Sequence, residues 1–314
     1  MTKICGICML RDTVDLVPFL VGHYLRIGFD RIQFVDDQSS DGTFELLCSV
    51  AKSNPRVTVE RVVHDILKQA EVMSAAANQA LAAGFNIVFP FDADEFWSID
   101  VSQIRVAATR PGLFVGRWVQ FVQDRSERHR RRRGLFSVRY RAPVLADTDP
   151  ATVESFDRSF VCLTVPKVGF VADSPVALSK GQHALTHGPC EILAQDLELF
   201  HVPIRSAREI KLRAERAERV LANTQGDDHW QTRSFRAAMQ AGRLDAVWAA
   251  NSASTDGFLD LPRQRIMLIR DSRFQTLMAR AWLYMLVRHP SALLGRRRWP
   301  ATAQYGQSTS PVST

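Results

Sequence analysis

Over the first hundred residues, apolar runs of strand length alternate with stretches whose apolar residues recur at helical spacing. Ile4 to Leu10 is apolar nearly throughout, the pattern of a strand covered on both faces. Leu16, Val17, Leu20, Tyr24 and Ile27 then mark a helix, with Asp12 or Thr13 as its cap and Gly28 as its stop. Arg31 to Val35 predicts a second strand, and Asp41 caps a helix over Phe44 to Ala51. Val57 to Val62 is a third strand. Ile66 to Ala83 is a long helix with a stripe of Leu67, Ala70, Met73, Ala77, Ala80 and Leu81, ended by Gly84, and Asn86 to Phe91 is a fourth strand. Strict alternation predicts an α/β fold: a Rossmann-like, mostly parallel sheet with helices on both faces.

After Trp97 the alternation breaks. Leu113 to Val122 is a strand, and Arg139 to Pro175 is strand and turn material. Leu197 to Ser206 is a strand that turns into a charged helix over 207–221, with Ser206 and Glu209 spaced as a capping box. Helices are expected to dominate 231–290, as a carboxyl-terminal helical extension spanning 206–300. Residues 301–314, rich in Ser, Thr, Gln and Pro without apolar periodicity, read as a disordered tail.

Two of the predicted strands stop at carboxylates. The second runs into Asp36-Asp37-Gln38-Ser39-Ser40-Asp41-Gly42-Thr43, and the fourth into Asp92-Ala93-Asp94-Glu95-Phe96. In doubly wound sheets ligands bind beyond the carboxyl ends of the strands, so both clusters are predicted on one rim. In an extended chain Asp92 and Asp94 point the same way, about 7 Å apart, with Glu95 on the other side. Two such carboxylates suit Mg²⁺ or Mn²⁺ carrying phosphate oxygens. No GxGxxG follows the first strand and no GxxxxGK[ST] occurs. Dinucleotide redox chemistry and P-loop phosphate binding are thus disfavoured.

Composition narrows the partners. With 46% hydrophobic and 23% charged residues the chain has a globular profile, and its net charge of +7 favours an anionic partner. The arginine run between Asp124 and Arg133 lacks the interleaved aromatics of single-strand nucleic-acid binding, which disfavours nucleic acid as partner. Five cysteines, an odd number, and no secretory h-region at the amino terminus predict a reducing, cytoplasmic setting. Cys5 and Cys8 spell CxxC inside a strand, where residues three apart face opposite sides, so they are expected as core cysteines. Between Ala281 and Trp299, aromatic and aliphatic residues lead into Arg296-Arg297-Arg298-Trp299. That mixture suits a terminal helix with a basic end, and also peripheral contact with an anionic membrane at its inner face.

The motifs resemble those of family 2 glycosyltransferases with the GT-A fold, in particular a bacterial subgroup. The counterparts are Arg11-Asp12, Pro18-Phe19-Leu20, His23, Gly28, the run Asp36 to Thr43, and Asp92 to Phe96. Lys167, Gly181-Gln182-His183 and His201 to Ser206 match later blocks, so the resemblance spans about residues 3–215. Asp12 departs from it, since the subgroup usually has Glu there. The resemblance implies an inverting glycosyltransferase domain over 1–205, with a nucleotide-sugar half at 1–100 and an acceptor half at 101–205. The donor would be a UDP- or GDP-sugar and the acceptor a glycan or lipid-linked molecule of cell-surface polysaccharide or glycoconjugate synthesis. Asp36 or Asp37 would receive the base or ribose. Asp92 and Asp94 would bind Mn²⁺ or Mg²⁺, with His201 as the further ligand. Arg205 and Lys211 would hold the diphosphate, Arg11 would bind the donor, and Arg61, Lys68 and Gln69 would face the phosphates. The base is left open among Glu95, His183 and Asp124. Two other readings compete. One is a nucleotidyltransferase on a similar sheet, though Leu10-Arg11-Asp12-Thr13 is not a glycine-rich loop. The other is a non-catalytic module binding anions through its arginines.

Overall fold

The computed structural model describes residues 2–63, 68–126, 134–144, 159–222 and 230–294. Ile66, Leu67, the arginines at 128–133 and 296–298, and the tail at 301–314 lie outside these residues.

The chain opens with β1 (Ile4–Leu10), α1 (Val17–Ile27), β2 (Arg31–Asp37), α2 (Thr43–Ser53), β3 (Val57–Val62), α3 (Gln69–Ala82) and β4 (Ile87–Pro90). β1 pairs in parallel with β2 on one side and β4 on the other, and β2 pairs in parallel with β3. The alternation of β1 sorts its residues between two cores. Ile4, Cys8 and Leu10 join the residues of α1 and α2, while Cys5, Ile7 and Met9 join those of α3. Helices therefore cover both faces, as the two-sided apolar strand requires. Cys5 and Cys8 face opposite cores as unpaired thiols, and burial pushes the Cys5 thiol up to about 12.

Further strands extend this sheet beyond β4. These are β5 (Glu95–Ser98), β6 (Gly112–Val122) after α4 (Val101–Ala107), β7 (Tyr140–Arg141), β8 (Pro166–Val171) and, after the hairpin of β9 (Ala177–Leu178) and β10 (Leu185–His187), β11 (Ile192–His201). β8 lies antiparallel between β4 and β6, and β11 runs parallel to β6 and antiparallel to β5. The result is a mixed α/β fold with a parallel amino-terminal half. Past β11 come α5 (Ala207–Ala222), α6 (Trp230–Gln240), α7 (Leu244–Ala250), β12 (Phe258–Asp260), β13 (Arg265–Met267), β14 (Ile269–Arg270), α8 (Arg273–Arg288) and α9 (Pro290–Leu294).

The structure corrects several local expectations. Neither Asp12 nor Thr13 caps α1. The cap is Leu16, and Asp12, at φ +49°, instead accepts from the backbone of Ser40. Gly42, not Asp41, caps α2; Asp41 accepts from Thr43 and from the Val14 backbone, tying the loop after β2 to the loop after β1. The capping box at α5 forms with a shift: Ser206 accepts from Glu209 N–H, but the Glu209 carboxylate accepts from Arg205 N–H. Residues 231–290 are not helical throughout, because β12 and β13 pair and β14 joins β7 at the sheet edge. Phe274, Leu277, Met278, Ala281 and Met285 of α8 pack into the same core as α1, while Ile210 and Ala214 of α5 and Phe235 of α6 build a core of their own with Phe160 and Leu163.

Candidate active site

Both acidic clusters emerge at the carboxyl ends of parallel strands separated only by β1. They share one rim, about 10 Å apart across two strand spacings. The predicted alternation of Asp92, Asp94 and Glu95 does not occur. β4 ends at Pro90, and Glu95 N–H donates to the Asp92 carbonyl, closing a turn. A turn brings residues three apart to one side. Asp92 and Glu95 therefore converge, and Asp94 points away from both.

The point of convergence is Lys167, which is fully buried. Its Nζ lies 2.8 Å from Asp92 Oδ2 and 2.8 Å from Glu95 Oε2. Glu95 also accepts from Trp118 Nε1 at 2.7 Å and from Asp92 N–H at 2.8 Å. Gln69 donates to the other Asp92 oxygen at 3.2 Å. Burial alone would lower the Lys167 pKa, but the two carboxylates raise it well above the usual lysine value. Burial, with Asp92 adding to it, raises that of Glu95 against the opposing pull of Lys167. Glu95, a candidate base from sequence, is thus an anchor whose oxygens are occupied and withdrawn from solvent.

Asp94 opens instead onto a cleft of about 540 Å³ between the loop after β1 and the start of α5, lined among others by Arg11, Asp15, Arg205, Arg208 and Arg213. His201 Nε2 lies 3.6 Å from Asp94 Oδ1, and Arg213 lies 3.7 Å from Oδ2. Burial would raise the Asp94 pKa, yet His201, Arg213 and Arg205 together hold it well below the carboxylate range. Arg205, between Asp15 and Glu209, stays fully charged despite its burial. The ring of His201 lies against Trp118, with centroids 4.4 Å apart, and its Nδ1 is buried without a hydrogen-bond partner.

Among the described residues no three His, Cys, Asp or Glu side chains gather as a metal cluster. Asp94 lines the cleft and His201 stands behind it, its Nε2 3.6 Å from Asp94 Oδ1. An oxygen and a nitrogen donor so close together suit a divalent cation that takes its other ligands from phosphate and water. Asp92, committed to Lys167 and Gln69, does not join them in this arrangement.

No family model and no curated protein sequence matches this chain. Among solved structures it is similar to the mannosyltransferase PcManGT from Pyrobaculum calidifontis in complex with GDP-Man and Mn²⁺, at 14% identity over 96% of this chain and 76% of that one, with a TM-score of 0.37. HddC from Yersinia pseudotuberculosis matches at 14% identity over 65% of this chain and 95% of that one, with a TM-score of 0.31. A protein of Bacillus anthracis assigned as a glucose-1-phosphate thymidylyltransferase, complexed with sucrose, matches at 12% identity over 40% of this chain, with a TM-score of 0.29. This chain spans 61% of that protein's length.

The remaining predicted residues fall on and off the rim. Asp36 is fully buried and bound by Arg61 at 2.9 Å, with the Ser39 N–H at 3.1 Å on the same oxygen. It organises the loop and is withdrawn from solvent. Asp37 lies nearer the surface, 3.5 Å from Arg11. Lys68 reaches Glu71 and Lys211 reaches Glu215, both at exposed helix faces, and neither lines the cleft. Asp124 is held by Arg139 at 3.2 Å and by the Ser126 N–H, so its carboxylate is committed within its own loop. His183 sits beside Trp118, and its Nδ1 donates to the Pro166 carbonyl at 2.8 Å, leaving Nε2 with a lone pair. Burial and the Lys167 charge lower its pKa. Sequence reading missed Asp15, Arg208 and Arg213. The signal was present in α5, where Arg208, Glu209, Leu212 and Arg213 recur at three- and four-residue spacing on one helix face just after Arg205.

Proposed function

We propose that this chain is a metal-dependent, inverting glycosyltransferase that moves a sugar from a UDP- or GDP-sugar to a glycan or lipid-linked acceptor. The observation that carries the reading is Asp94 set among Arg11, Arg205, Arg208 and Arg213 in one cleft at the carboxyl rim of a parallel sheet. Asp12, Asp15 and Glu209 line the same cleft and hold the guanidiniums of Arg11, Arg205 and Arg213 in place, and the planar forks of the arginines suit a diphosphate. Asp94 and His201 would hold Mn²⁺ or Mg²⁺, which when bound stabilises the charge that develops on the leaving diphosphate.

The chain's own residues supply the rest. The bond from the anomeric carbon to the donor phosphate oxygen breaks as the acceptor oxygen attacks from the opposite face. The acceptor's proton goes to a base, and the lone pair of His183 Nε2 is the group suited to take it. Arg205 and Arg213 face the charge that builds on the departing phosphate. Asp37 and Arg11, at the end of β2 and the loop after β1, are the rim residues available to the nucleoside.

The reading is tested by melting the protein with a panel of nucleotide-sugars, with and without Mn²⁺, and then assaying the best donor for nucleoside diphosphate release. A cation-dependent rise in melting temperature for one donor supports it. Release of pyrophosphate from a nucleoside triphosphate and a sugar phosphate would establish nucleotidyl transfer instead.

A further inference from the structure

Helix α8 is apolar on both sides. Its inner stripe packs against α1, but Leu283, Leu286 and Val287 face outward at 60%, 45% and 67% exposure, three and four residues apart. A helix whose outer face meets only water carries polar residues there. No described helix is long and apolar enough to cross a membrane, so this face is suited to lying on a surface.

The outward arc of α8 continues through Arg280 into a second cleft, of about 550 Å³, between α1 and α8. Arg26 and His23 of α1 line it, and it shares no lining residue with the candidate active site. Arg273 in this cleft is paired with Asp271 and Glu198. Arg26 and Arg280 have no carboxylate partner among the described residues. Arg26 Nε and His23 Nδ1 are buried and unpartnered. Burial, and then the like charge of Arg280, lower the Arg26 pKa, while Asp100, which also lines this cleft, accepts from Ser102.

We propose that this face docks the protein on an anionic phospholipid surface, with a head-group phosphate between Arg26 and Arg280 and with Leu283, Leu286 and Val287 at the acyl boundary. Phospholipid is the occupant that brings an anion and hydrocarbon together. A free phosphate leaves the leucines in water, and a two-fold dimer through this face brings the unpaired arginines against their own copies. The inference does not depend on the chemistry of the other cleft.

The test is cosedimentation of the full chain with vesicles of phosphatidylglycerol and phosphatidylcholine, against vesicles of phosphatidylcholine alone. Binding is expected only to the first and is expected to weaken with salt. Arg26→Ala and Arg280→Ala should each lower the affinity about fivefold. Leu283→Asp, at an exposed position, should lower it without moving the melting temperature. Equal binding to both vesicles, no binding, or binding unchanged in the double arginine variant overturns the proposal. So does stabilisation by glycerol phosphate without vesicle binding, or a solution dimer that Leu283→Asp dissociates.

Discussion

Lys167 and Glu95 lie 2.8 Å apart, and neither side chain reaches solvent. Such a pair stabilises little relative to apolar packing, but removing one partner strands a buried charge. Lys167→Met should therefore cost about 3–5 kcal/mol, read by urea unfolding. Lys167→Met combined with Glu95→Gln should recover part of that loss. Equal stability of the single and double variants would show that Glu95 is not held by this lysine.

The turn at Asp92–Glu95 separates two carboxylates that sequence spacing made alike. Asp92→Asn weakens the contact to Lys167 and should lower stability while leaving the Mn²⁺ requirement nearly unchanged. Asp94→Asn keeps the shape of the cleft and should raise the Mn²⁺ concentration for half-maximal donor stabilisation about 100-fold. Thermal melts over a metal titration read both effects. An equal rise in the two variants would put Asp92 in the metal's coordination after all.

The parallel strands, the two-sided helices and the shared rim were legible because period and punctuation are local properties. The apolar residues of β1 point alternately into two cores, and Gly28, at φ +102°, stops α1 where its sequence said it would. What was not legible was direction at a turn. Alternation holds while the chain is extended, and β4 stops at Pro90, two residues before Asp92. Nor could composition show that Lys167, 75 residues downstream, arrives on the antiparallel strand β8 to claim Asp92. Asp36 is a parallel case, since Arg61 reaches it only because β3 lies beside β2.

Arg61 spans Asp36, the Ser39 carbonyl and the Phe44 ring, whose centroid lies 4.0 Å from its guanidinium carbon. Lysine carries the charge but lacks the planar fork. Arg61→Lys should loosen the loop after β2, with a stability loss of about 1–3 kcal/mol and faster amide exchange at Ser39 and Ser40. Unchanged exchange at these two amides would show that the loop is held without Arg61.

His23 is buried on α1 with its Nε2 bonded to the Trp97 carbonyl at 2.8 Å. Burial, with a smaller contribution from the Arg26 charge and against the Trp97 bond, carries its pKa down to about 3. In the unfolded chain it titrates near the ordinary histidine value of about 6.5. Between those values the unfolded chain takes up a proton that the fold refuses, so acidification favours unfolding. Stability contributed by His23 is intact above about pH 6.5 and should fall by up to about 1.4 kcal/mol per pH unit as the pH drops toward 3. His23→Gln keeps a donor for the Trp97 carbonyl and removes the titration. Urea unfolding at pH 7.5, 6 and 5 should show a shallower pH dependence in the variant than in the parent chain. Parallel curves would mean that His23 is already protonated inside the fold.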